Sequence, residues 1–148
     1  MAKNLLDDGA RRRIVERIDG LGPDSRRRWG TMSLPKAVCH MADQLAAALG
    51  ELEVKPIRGI ARWPGVSWLV LHVLPVPRGV PTAPELLGTD LEELEEARAH
   101  LKGVLERFAA NGEGGEWREH PAFGRLSGRD WGKLGWKHMD HHLRQFGA

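Results

Sequence analysis

Apolar residues recur along this chain at three- and four-residue spacing in four separate stretches, the period of a helix that buries one face. The first runs from about Lys3 to Leu21 and stops at GLGPDS, where glycine and proline break the pattern; Arg11 to Arg13 fall outside its stripe and face solvent. The second opens at Ser33, an N-cap followed by Pro35 in the first turn, and closes at Gly50. Its buried stripe is Leu34, Val38, Met41 and Leu45, which leaves His40 on the flank beside Ala37, Gln44 and Ala47. The third starts at a capping box of Thr89 and Glu92, then carries Leu91, Leu94, Leu101, Leu105 and Phe108 on one face down to Asn111 and the NGEGG break. Arg98 lies on that apolar face, where a guanidinium needs a carboxylate, a solvent edge or a substrate anion. The fourth opens at Ser127 with Asp130 at N3 and reaches Phe146, with Gly147 at its end.

Between the second and third stretches lies a proline-rich segment, Pro56 to Pro84, interrupted by VSWLVLHVL at 66–74. That run is apolar all round, and without a partner strand elsewhere it reads as a short buried helix. PVPRGVPTAPELL reads as an extended surface connection. The expected fold is all-α: one domain over residues 1–148, an up-down-type four-helix bundle with a short extra buried helix and an extended proline-rich connection.

Composition narrows the partners. The 148 residues carry 22 basic and 20 acidic side chains, a net charge of +2, so charge alone suggests no polyphosphate-binding footprint and no nucleic-acid partner is expected. No stretch approaches the ~20 apolar residues of a membrane span, and the start lacks the apolar core of a signal peptide. The expectation is a soluble, cytoplasmic protein without a membrane partner. With Cys39 as the single cysteine, an internal disulfide and a Cys-rich zinc site are excluded, and a metal would need imidazole or carboxylate ligands.

The candidate chemistry sits in HMDHHLRQFG near the end of the chain. On the last helix, Lys133, Lys137, Asp140 and Arg144 share one face; Trp131, Leu134, Gly135, His138, His142, Gln145 and Phe146 share the opposite one. His138 and His142, one turn apart, can bind the same ion, or each can be a core histidine bonded to a carbonyl or carboxylate. His40 is the best third ligand. His72 is an alternative whose simpler reading is packing, His120 in EHPAFG shapes a turn with Pro121 or serves as a loop ligand, and His100 faces solvent. Gln145 and His141 are candidates for orienting ligands or substrate, Asp43 for holding an imidazole tautomer, and Arg98 for a cofactor carboxylate or a structural ion pair. Cys39 reads as packing.

RRWGTMSLPKAVCHMADQ, with its histidine in the second helix, and KHMDHHLRQFG in the last resemble the DinB/YfiT-like superfamily of metal-binding four-helix bundles; PTAPELL, HPAFGRLS and DHHLRQFG resemble a small bacterial branch of it without an assigned function. The resemblance covers nearly the whole chain. It implies a divalent metal, nickel, zinc, iron or manganese, held by His40, His138 and His142, and activities that include thiol-dependent S-transfer, isomerisation and hydrolysis. The expected function is therefore metal-assisted nucleophilic chemistry, thiol S-transfer or hydrolysis, on a small molecule, with a low-molecular-weight thiol as a possible cofactor and a homodimer as a possible assembly. The sequence offers no unmistakable general acid or base, which keeps open a metal- or small-molecule-binding bundle without turnover.

Overall fold

The chain, described over residues 2–148 by a computed structural model, is all-helical. In chain order the helices are α1 (Asp8–Asp19), α2 (Leu34–Leu49), α3 (Pro64–His72), α4 (Leu94–Asn111) and α5 (Gly128–Gln145), with single 3-10 turns at Ile60–Arg62 and Pro84–Leu87. Among the described residues there is no strand, only an isolated bridge between His120 and Gly124, and no helix is long and apolar enough to cross a membrane.

Local caps set most helix ends. The Ser33 hydroxyl accepts the Lys36 N–H at the start of α2, and Gly50, left-handed at φ 79°, ends it. Ser127 accepts the Asp130 N–H and returns its own hydroxyl to the Asp130 carboxylate at the start of α5. Two starts differ from the expected ones. Helix α1 begins at Asp8, capped by Asp7, because residues before it are claimed by α5: Leu5 N–H donates to Gly132 O and Asn4 Nδ2 to Arg129 O. The approach is close enough that a Cβ on Gly132 would stand 2.0 Å from Asn4 Oδ1, and one on Gly135 2.7 Å from Leu5 Cδ1. Helix α4 begins at Leu94 with Glu93 as its cap, since the Thr89 hydroxyl and N–H are both given to Asp43 and the Thr89–Glu92 capping box does not form.

Helix α2 is the hinge of the packing. It packs most extensively on α4 and also meets α5, while α1 packs on α5 and α4. Its residues Ala37 to Leu45 are all buried, wider than the stripe its periodicity marks. Ile14, Ile18, Val38, Met41, Leu45, Leu101, Leu105, Phe108, Trp131, Met139 and Leu143 fill the core with essentially no exposure. At about 25 cal/mol per Å² of apolar surface buried, each such aliphatic side chain contributes roughly 1.5–3 kcal/mol.

Helix α3 corrects the sequence reading in one respect. VSWLVLHVL is helical as expected, but the helix is not buried: only Leu71 of its residues is, and Trp68 is 58% exposed. It touches the rest through α5, where Lys137 Nζ donates to the carbonyls of Val70, Leu71 and Leu74 at its C-terminal end.

Candidate metal centre

Three side chains one to two turns apart on α2 pin the 3-10 turn that follows the proline-rich segment. Lys36 Nζ donates to Leu87 O at 2.7 Å and to Thr89 O at 3.2 Å, and the buried Asp43 carboxylate accepts the Thr89 N–H and hydroxyl. Between them, His40 Nδ1 meets Leu86 O at 2.9 Å. A carbonyl only accepts, so Nδ1 of His40 carries the proton and its Nε2 holds a lone pair.

A second chain of bonds performs the same selection on α5. Gln145 Nε2 donates to Trp29 O at 2.8 Å, which turns the amide so that its Oε1 faces His142 Nδ1, also at 2.8 Å. His142 Nδ1 is then the donor and its Nε2 the lone pair. Gly30, left-handed at φ 77°, makes room for this: a Cβ there would lie 2.7 Å from Gln145 Nε2.

His138, one turn before His142, places its Nε2 2.9 Å from His40 Nε2. The three rings stand nearly perpendicular to one another, with centroids 4.6–4.9 Å apart, and one donor atom from each lies within 4.8 Å of the others. Nitrogens bound at ~2.0–2.1 Å to one ion stand roughly 3 Å apart, a separation that the His40 and His138 pair already has.

The donor set fits a cation better than it fits itself. Two of the three converging nitrogens are fixed as lone pairs, and a single proton on His138 Nε2 can bridge to one of them; His138 Nδ1 is then left as a buried atom without a hydrogen-bond partner, as found. His40, His138 and His142 would hold a divalent ion through one lone pair each; the His138 proton would then lie on Nδ1, which no protein group meets in either case. Desolvation also holds the rings neutral, the state in which imidazole ligates: it lowers His40, pushes His138 well below the usual histidine range with help from the neighbouring imidazoles, and brings His142 to about 4.

The remaining candidates divide between the site and the frame. His141 is buried beside it, 5.1 Å from the His142 ring and 5.4 Å from Trp29 between centroids. Asp43 holds Thr89 and so supports the turn that presents Leu86; it bonds no imidazole. Arg98 is structural, donating to Leu21 O and pairing with Glu95 at 3.3 Å. His72 sits outside the site against Lys133 and Asp130 on α5. His120 Nδ1 accepts from Ala122 and Phe123 N–H, the turn-shaping role. Cys39 is a buried free thiol raised by burial, consistent with packing. Missed by sequence reasoning were the carbonyls of Leu86 and Trp29, which carry no side-chain signature, and Arg78, whose guanidinium lies 3.9 Å over the Trp29 ring.

Residues 74–148, half of the chain, match a family described as protein of unknown function (DUF1569). No curated protein and no solved structure matches. The matched span includes Leu86, His138, His142 and Gln145 but not His40. The chain thus belongs to the DUF1569 family.

Proposed function

We propose that this chain is a divalent-metal protein of the DinB/YfiT-like four-helix-bundle kind, with α1, α2, α4 and α5 as the bundle and α3 added. It acts in the cytoplasm on a small molecule by metal-assisted nucleophilic chemistry, thiol S-transfer or hydrolysis. The observation that carries this reading is the convergence of three imidazoles, two of them, His40 and His142, held by their Nδ1 bonds with a lone pair on Nε2, and with His40 and His138 Nε2 2.9 Å apart. When bound, a nickel, zinc, iron or manganese ion supplies a Lewis acid with positions left for water, a thiol or substrate.

The chain's own contribution is orientation. Leu86 O and Gln145 fix two ligands, as outer partners of metal-bound histidines generally do. His141, Trp29 and Arg78 form a polar and aromatic rim beside them, and Arg78 offers a cation to an anionic substrate group. A non-catalytic metal-binding bundle is the second reading. It is favoured by one observation: the carboxylate nearest His40 on its own helix, Asp43, is occupied by Thr89 and not free for proton transfer.

The test is turnover by protein reconstituted separately with each of the four metals, offered small thiols with electrophiles and, in parallel, hydrolysable esters and amides. Product formation that depends on metal and is lost in His138→Ala supports the catalytic reading. A protein that binds metal tightly and turns over neither class contradicts it.

A further inference from the structure

The large apolar side chains that stand exposed among the described residues all lie between Ile57 and Val80. Ile60 is 63% exposed, Trp63 65%, Trp68 58% and Val73 57%. Trp68 and Leu69 on α3 and Val73 just after its end stand outward, while Leu71 turns inward, so one side of an apolar helix looks into solvent. A concentration of exposed large apolar side chains in one segment is the kind of surface that marks an interaction site.

The charge around it selects the partner. From Val54 to Pro84 the chain has no aspartate or glutamate, and Lys55, Arg58 and Arg62 in that span are exposed, Arg62 also donating to Pro121 O; the carboxylates that reach the margins are Glu85, 3.5 Å from Lys55 N, and Asp130, 3.4 Å from His72. Two copies meeting through this patch would bring like charges together, which opposes self-association. An anionic bilayer surface complements both features, since cations attract acidic headgroups while apolar side chains enter the acyl boundary. The tryptophans point the same way. Trp117 and Trp131 donate their indole N–H inside the protein, whereas Trp63 and Trp68 hold theirs in the exposed patch, and such amphipathic rings favour the headgroup level.

We propose that the segment from Ile57 to Val80, led by the outer face of α3, docks this protein reversibly on anionic membrane surfaces. The expectation of no membrane partner rested on the lack of a spanning segment, and a surface-lying helix needs none. Lys137 ties the end of α3 to α5 one residue before His138, so the docked helix sits against the element that carries two of the candidate ligands.

The experiment is co-sedimentation of the full chain with phosphatidylcholine vesicles, with and without about 30% phosphatidylglycerol, together with its tryptophan emission and its mass in solution. The expected result is partition at least about tenfold stronger on the anionic vesicles, a blue-shifted emission on binding, and weakening by salt. Trp68→Glu with Leu69→Glu, and separately Arg58→Glu with Lys55→Glu, are expected to lose most of that partition while circular dichroism stays unchanged, because these side chains are exposed. His138→Ala is expected to bind vesicles as the wild type does. Equal binding to neutral vesicles would overturn the proposal, as would no vesicle binding at all. So would a lipid-free dimer that Trp68→Glu with Leu69→Glu converts to monomer, or capture of an acidic protein by the patch without vesicle binding.

Discussion

His40 and His138, 98 positions apart in sequence, face each other through Nε2 atoms at 2.9 Å. Neither atom has a carboxylate to bond, and the tautomer of His40 is set by Leu86 O, so the pair meets as ligands would meet around an ion.

Gln145 is the link between His142 and the Trp29 carbonyl. Gln145→Leu removes the acceptor of His142 Nδ1 and leaves Trp29 O without its donor. Metal affinity is expected to fall about 10–100-fold with the helical spectrum intact. Competition titration against a chelator measures it, and unchanged affinity would mean that the amide does not position the ligand.

Gly30 serves the same link from the loop side. Gly30→Ala meets a positive φ of 77° and the Gln145 amide at 2.7 Å. The expected cost is about 1–2 kcal/mol in thermal or urea unfolding, with weaker metal binding alongside. A variant as stable as the wild type would show that Gln145 can move aside freely.

Asp43 separates frame from site. Asp43→Ala strands the Thr89 N–H and hydroxyl and loosens the turn that carries Leu86, at an expected cost of about 1–3 kcal/mol. Metal stoichiometry is expected to persist at about one ion per chain, because Asp43 bonds none of the three imidazoles. Loss of the ion without loss of stability would assign Asp43 to the site itself.

His120 makes stability depend on pH in the metal-free protein. Burial first, and then the Arg62 charge, lower it from 6.5 to about 4, while Nδ1 accepts two backbone N–H groups. The unfolded chain therefore binds the proton more readily, so the stabilisation is complete above pH 6.5 and is lost as pH falls towards 4, on the order of 3 kcal/mol. His120→Asn keeps an acceptor without a titrating ring, and part of this acid slope is expected to vanish in urea unfolding at stepped pH. An unchanged slope would place the acid sensitivity elsewhere.

What could be read from the sequence was whatever a few neighbouring residues decide. Ser33 and Ser127 cap their own helices, and His138 and His142 share a face because they stand four apart, so the ends of α2, the start of α5 and the pairing of these two histidines were all legible. Thr89 misled because Asp43, 46 positions away, takes the groups that a capping box needs. The helicity of α3 was legible, its exposure was not: an apolar helix is expected to bury every face, and nothing local reveals that its outer face meets no other element. Leu86 and Trp29 act through backbone carbonyls, which every residue has.

The most direct measurement is metal content by inductively coupled plasma mass spectrometry on untagged protein, comparing wild type with His40→Ala, His138→Ala and His142→Ala. The expected result is about one divalent ion per wild-type chain, retained on dialysis and lost in each variant, with every variant still helical. Wild-type protein that neither contains nor takes up zinc, nickel, iron or manganese, or variants that hold the ion as tightly as the wild type, would contradict the three-histidine centre.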